Sequence, residues 1–230
     1  MTAAAVHLTA PASPLPTPAE ALLAASGLGC VRDDRVLFQD LALTVPAGRV
    51  LTIEGANGSG KTSLLRMLCG LAEPDAGVIR WRGTPINEAR AGFYTELLYL
   101  SHHPGIKAAL TARENLALAV RLAGGELQGD IVEALTQFGL AGYEDLPCRG
   151  LSAGQQRRVG LARLLLTPAS LWVLDEPFTA MDRRGRQFIE ALLHRHTANG
   201  GAAIVTTHHP MDLPDEHVER LHLGPEVTDS

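Results

Sequence analysis

The sequence predicts an α/β protein built around a mainly parallel sheet. Two observations predict it. The runs "RVLTIEG", "LWVLDEP" and "AAIVTTHH" are largely apolar until their last residues, as strands buried on both faces are. Amphipathic helical patterns separate them, so strand and helix alternate along the chain.

The elements follow in order. Residues 1–20, "MTAAAVHLTAPASPLPTPAE", are rich in Ala and Pro and carry no basic leader segment, so a disordered extension is expected there. "ALLAASGLGCV" and "LALTV" read as early strands, and "RVLTIEG" as a buried strand ending in glycine. Helical patterns over residues 61–69, 111–123, 130–138, 153–166 and 183–197 alternate with the short strands "GVIRWRG" and "LLYLS" and the buried strands already quoted. One domain over residues 21–224 is expected, with a helical subdomain near 103–160 and a short tail at 225–230.

Composition narrows the function. Aromatic residues make up only 4% of the chain, so Leu, Val, Ala and Ile must fill the core. The net charge of -5, without a basic block, argues against a nucleic-acid partner. Cys30, Cys69 and Cys148 are widely spaced and form no paired motif, which fits three ordinary thiols in a reducing cytoplasm. No stretch reaches the roughly 18–20 apolar residues that span a bilayer.

Three segments carry chemistry. "GANGSGKT", from Gly55 through Ala56, Asn57, Gly58, Ser59, Gly60 and Lys61 to Thr62, lies between a strand and the helix that opens at Ser63. Glycines let successive amides turn toward phosphate oxygens, and the helix N-terminus favours an anion. Lys61 can reach β- and γ-phosphates, and the Thr62 hydroxyl can ligate Mg²⁺. In "LWVLDE", Asp175 falls at the C-terminal end of a buried strand, where it can hold Mg²⁺ through water. Glu176, one residue on, can act as general base toward the attacking water. "LSAGQQRR" places Ser152, Ala153, Gly154 and Gln155 at a helix start. A helix cap accounts for Ser152, but not for Gly154 and Gln155 together.

In this order, "GANGSGKT", "LSAGQ", "LWVLDEPFTAMD" and "TTHH" resemble the nucleotide-binding subunits of ABC transporters across about residues 22–224. The resemblance implies a P-loop NTPase core of the ABC ATPase type, with an antiparallel β subdomain and a small helical subdomain. It implies that the cofactors are ATP and Mg²⁺, and that two copies sandwich the nucleotides. Ser152, Ala153, Gly154 and Gln155 would then face the ATP held by the other copy. Asp182 would lie at the dimer interface, and His208 would touch the γ-phosphate. His209 would have no family role.

Two departures from the wider family stand out. The family's usual glutamine after the "LLYLS" strand is replaced by His102, which the resemblance places beside the catalytic water. An imidazole there suits a hydrogen bond to Mg²⁺-bound water better than direct ligation, because Mg²⁺ prefers oxygen. A zinc site made of His102, His103, His208 and His209 is the weaker reading. At the adenine position no aromatic residue is available in "CVRDDRVLF", and Arg32 stands in its place. Together with "HHPGIK" and "GLAGYEDLPCRGLSAGQQRRVGLARL", these features resemble the ATPase subunits of cytochrome c maturation haem transporters (CcmA-type). That resemblance implies a peripheral protein on the cytoplasmic face of the bacterial inner membrane. Its partners would be an integral-membrane permease and haem-handling membrane proteins. Composition and spacing do not point to haem. The alternatives are an ABC ATPase for another small molecule, or a non-transport ABC-type ATPase. The stretch between Thr62 and Leu151 is too short for the long coiled coil of the DNA-repair type.

Overall fold

In the computed structural model, which describes residues 6–9, 21–124, 127–208, 211–214 and 217–224, two sheets share the chain. Its elements are β1 (Val6–Thr9), β2 (Leu23–Arg32), β3 (Arg35–Val45), β4 (Val50–Glu54), α1 (Lys61–Leu68), β5 (Ala76–Trp81), β6 (Thr84–Pro85), α2 (Arg90–Thr95), β7 (Leu97–Leu100), α3 (Ala112–Leu122), α4 (Ile131–Gln137), α5 (Ala153–Leu161), β8 (Leu171–Asp175), α6 (Arg183–Ala198), β9 (Ala202–Thr206) and β10 (Val218–Leu223).

The larger sheet runs β1-β10-β4-β9-β8-β7. From β10 to β7 every pairing is parallel. Every residue of β8 and β9 is buried, as continuous apolar runs require. Parallel pairing has a direct consequence: the C-terminal ends of β4, β7, β8 and β9 open on one edge of the sheet, where ligands bind in open α/β folds. The smaller sheet, β3-β2-β5-β6, is antiparallel. Its β2–β3 hairpin turns at Asp33 and Asp34, both left-handed (φ 49° and 61°), as a two-residue hairpin turn requires. This brings Arg32, at the tip, over the phosphate-loop edge of the larger sheet.

Two apolar clusters hold the layers together. One joins both sheets to α1 through Leu28, Phe38, Ile53, Leu64, Leu65 and Leu68. The other packs α3, α4 and α5 onto β7, β8 and α6 through Leu98, Leu116, Leu135, Val159, Trp172 and Ile189. Side-chain caps start these helices: Thr111 with Glu114 at α3, Asp130 at α4, Ser152 with Gln155 at α5 and Asp182 at α6.

The structure corrects two expectations. Val6–Thr9, placed by the sequence reading in a disordered extension, pairs antiparallel with β10 from Val6–Leu223 to Thr9–Arg220. The short β-prone segment "VHLT" caps an edge that β10 would otherwise leave unpaired. The rest of residues 1–20, and the tail at 225–230, lie outside the described residues. The helix expected over 153–166 stops at Leu161 and tightens into a 3-10 turn, Ala162–Leu165. Pro168 follows closely, and the residue before a proline is driven out of the helical region.

Candidate active site

The phosphate loop leaves β4 under steric constraints that only glycine meets. At Gly55 (φ 144°) an added Cβ would lie 2.3 Å from the Leu223 carbonyl oxygen. Gly60, at φ 103°, caps α1 in the left-handed region. Lys61 is buried and curls back over the loop. Its ammonium donates to the backbone oxygens of Gly55, at 2.6 Å, and Ala56, at 3.2 Å. Ser59 Oγ is buried without a partner. A loop with a satisfied cation, an orphaned hydroxyl and a helix N-terminus fits an anionic phosphate chain.

Across the cavity, β8 ends in Asp175, which is 2% exposed. Both carboxylate oxygens accept hydrogen bonds: Oδ2 from Thr62 Oγ1 at 3.2 Å and Oδ1 from Thr206 Oγ1 at 2.7 Å. Thr206 Oγ1 in turn accepts from the Glu176 backbone N–H at 2.8 Å. The Glu176 carboxylate meets His208 Nε2 at 3.0 Å. One hydroxyl on α1 and one on β9 therefore hold the carboxylate of β8, and the next residue is held as well.

The cavity between these groups measures about 590 Å³. Arg32, Asn57, Gly58, Gly60, Lys61, Thr62, Ser63, His102, Asp175, Glu176 and His208 line it. Arg32 lies at its mouth, 3.6 Å from Asp75 and donating to the Val31 carbonyl. The His102 ring stands edge-on to His103, with centroids 5.5 Å apart. The Thr62 hydroxyl and Asp175 carboxylate are hard oxygen donors of the kind that would suit Mg²⁺. Among the described residues no set of three or more His, Cys, Asp or Glu side chains is gathered for a metal, and His209 lies outside them.

Five of the sequence-predicted residues stand elsewhere. Ser152, Ala153, Gly154 and Gln155 open α5, and Asp182 opens α6. Gly154 and Asp182 line a separate cavity of about 510 Å³. Ser152 and Gln155 satisfy each other in a capping box at 2.8 and 3.2 Å, and Asp182 accepts from the Gly185 N–H at 2.7 Å. None of the five lines the cavity around Lys61 and Asp175.

Sequence reading missed Thr206 and Arg157. Thr206 hides in an apolar strand, and Arg157 acts on backbone carbonyls. Arg157 is half-buried, and burial lowers its pKa against the charges of Asp175 and Glu176. The three cysteines are all buried and free. Burial, helped by the Asp175 charge, pushes the Cys69 thiol far up, so it stays protonated behind the site.

Residues 38–179 match the family described as ABC transporter. The cytochrome c biogenesis ATP-binding export protein CcmA of Methylococcus capsulatus is 52% identical over 195 residues, 84% of this chain and 94% of that protein. The protein of the same name from Salmonella typhi is 52% identical over 202 residues, 88% of this chain and 97% of that one. A dimeric structure of the ATP-binding cassette MJ0796, in a post-hydrolysis state bound to ADP and Pi, superposes with a TM-score of 0.71 at 22% identity. It covers 81% of this chain and 88% of its own.

Proposed function

The chain belongs to the ABC transporter family, as an ATP-hydrolysing subunit similar to the cytochrome c biogenesis ATP-binding export proteins, and from that premise we propose that its ATPase cycle powers haem export or haem-chaperone release in cytochrome c maturation. One observation carries the chemistry. Lys61 and the Glu176–His208 pair face each other across a single cavity, with Asp175 and Thr62 joined at its floor.

ATP binding draws the Lys61 ammonium off the Gly55 and Ala56 carbonyls and onto the β- and γ-phosphates. The loop amides and the Ser59 hydroxyl supply further donors. Thr62 and Asp175 would hold Mg²⁺, which would supply charge neutralisation at the phosphate oxygens. Glu176 accepts a proton from water as its oxygen bonds to the γ-phosphorus and the bond to the β–γ bridging oxygen breaks. His208 holds the Glu176 carboxylate by its hydrogen bond, and it reports the γ-phosphate. His102 orients the same water, and Arg32 lies on the adenine.

Ser152, Ala153, Gly154, Gln155 and Asp182 act on a second copy's nucleotide, which is why they stand apart from this chain's own cavity. No helix of the described residues is long and apolar enough to cross a membrane. The export that the relatives' names describe would run through an integral-membrane permease, with this chain peripheral on the cytoplasmic face and docked near residues 102–110.

The test uses Glu176→Gln. The purified variant should bind ATP as wild type does and hydrolyse it about 10²- to 10⁴-fold more slowly. A bacterial strain carrying it as the only copy should lack mature c-type cytochromes. Wild-type turnover removes Glu176 from the chemistry, and normal cytochromes without turnover remove haem from the reading.

A further inference from the structure

Arg157 is not among the residues that line the cavity, yet it touches the backbone of three that are. It projects from α5, two residues beyond Gln155. One terminal nitrogen donates to the His102 carbonyl at 2.7 Å. The other donates to the carbonyls of Asp175, at 3.0 Å, and of Glu176. These carbonyls lie at and beyond the ends of the paired strands β7 and β8. A planar guanidinium with divergent donors can join three such acceptors at once. Three residues further on the same helical face, α5 makes a second contact with the loop that carries His102. A Cβ at Gly160 would lie 3.1 Å from Pro104 Cβ and 3.3 Å from the Pro104 carbonyl oxygen. The 102–104 loop thus rests on α5 at two points.

Glu176 is where the contact matters. Its φ is 54°, in the left-handed region that side chains other than glycine rarely occupy. Such a conformation persists only where its surroundings over-determine it. Three hydrogen bonds do so. The N–H donates to Thr206 Oγ1 at 2.8 Å, and the carbonyl accepts from Arg157 and, at 3.2 Å within the following turn, from the Thr179 N–H. The β9 partner belongs to the same sheet. The α5 partner belongs to the helix whose first turn carries Ser152 and Gly154.

We propose that Arg157 is a positioning residue for ATP hydrolysis: from α5 it holds the Glu176 and His102 backbones, so the aim of the Glu176 carboxylate depends on where the signature helix lies. The inference rests on Glu176 as general base and adds what sets its direction. A displacement of α5 then reaches the base directly, with no change at the phosphate loop. The competing account is that Arg157 only stitches two parts of the fold together.

The two accounts separate in the full chain with MgATP. Arg157→Ala should lower kcat roughly 10- to 100-fold, the scale of a small misplacement of a reacting group. Its ATP Kd should stay within about twofold of wild type, because Arg157 lies outside the cavity lining. Arg157→Lys, which can serve some of the three carbonyls, should fall between. In the Glu176→Gln background, Arg157→Ala should lower kcat by a clearly smaller factor than in wild type, because the share that acts through the aim of the Glu176 carboxylate is already gone. A wild-type kcat in Arg157→Ala overturns the proposal. So does an equal fold-loss in the Glu176→Gln background, or a rise in Kd matching the fall in kcat. If Arg157→Ala does not fold, a wild-type kcat in Arg157→Lys overturns it too. Wild-type turnover in Glu176→Gln alone would instead remove the base, and the failure would belong to the proposed chemistry rather than to Arg157.

Discussion

The phosphate-loop side and the α5–α6 side of this chain carry the same kind of residue in two different conditions. Around Asp175, side chains from α1, β8 and β9 bond to one another across large sequence separations. Around Gly154, the polar side chains turn inward on their own helix: Ser152 to Gln155, and Asp182 to Gly185. The first region is assembled within the chain. The second has its polar groups satisfied locally and leaves Gly154 bare, with no atom from outside its own helical turn within 4 Å of where a Cβ would stand. A region kept empty at its centre, beside a helix N-terminus, is suited to meeting something from outside the chain.

The sharpest way to break this comparison pairs Lys61→Ala with Gly154→Asp. Each should lower turnover by roughly 10²-fold or more, the scale for losing one preorganised contact to a reacting phosphate. Only Lys61→Ala should weaken ATP binding to the isolated chain. Gly154→Asp should leave thermal stability intact, because its side chain has room and a carboxylate in a first helical turn is favourable. Mixing the two inactive variants should restore activity, approaching roughly a quarter of the wild-type sites by random pairing in a two-fold dimer. No restoration at any mixing ratio would mean that the two regions do not meet across a composite site.

A smaller effect is expected at the cavity mouth. Arg32→Ala should weaken ATP binding by ~0.5–2 kcal/mol if a guanidinium lies on the base, and Arg32→Tyr should bind ATP at least as well as wild type. Equal affinity in all three, measured by calorimetry, would remove Arg32 from the site. The smallest expected effect is local to the second region. Ser152→Ala should destabilise the fold by about 1 kcal/mol through loss of the α5 cap. It should leave ATP affinity of the isolated chain unchanged, which equilibrium unfolding and a binding titration together would check.

The contrast also governs what the sequence discloses. The strands β4, β8 and β9 are legible because burial on both faces demands unbroken apolar runs. The last strand, "VERLHL", is not, because Glu219 and Arg220 interrupt the run even though Glu219 is buried, where desolvation raises its pKa. Only the second half of β3 is legible, since Asp40 sits in it at φ 52° and breaks the pattern. The helix α2 is six residues long with no side-chain cap, too short to show a period. At the site, Gly55–Thr62, Asp175 and Glu176 are legible because their side chains, or their lack of one, do the work. Arg157 and Thr206 are not: Arg157 acts on main-chain carbonyls and Thr206 on a neighbouring carboxylate and N–H, and any strand threonine or helix arginine looks the same.

The order of the large sheet bears on how the chain is made. β4, whose end carries the phosphate loop, pairs with β9 on one side and β10 on the other, and both come from beyond residue 200. At about 5–20 residues per second of synthesis, the roughly 150 residues between β4 and β9 occupy about 7–30 s. During that interval β4 has neither neighbour, and such long-range pairing is slow to form. A nascent chain therefore exposes the complete "GANGSGKT" segment well before the sheet that gives it shape exists. ATP can stabilise this protein only once β9 and β10 have been made, and a chain truncated before β10 would carry the whole phosphate-binding sequence while lacking the strand against which Gly55 packs.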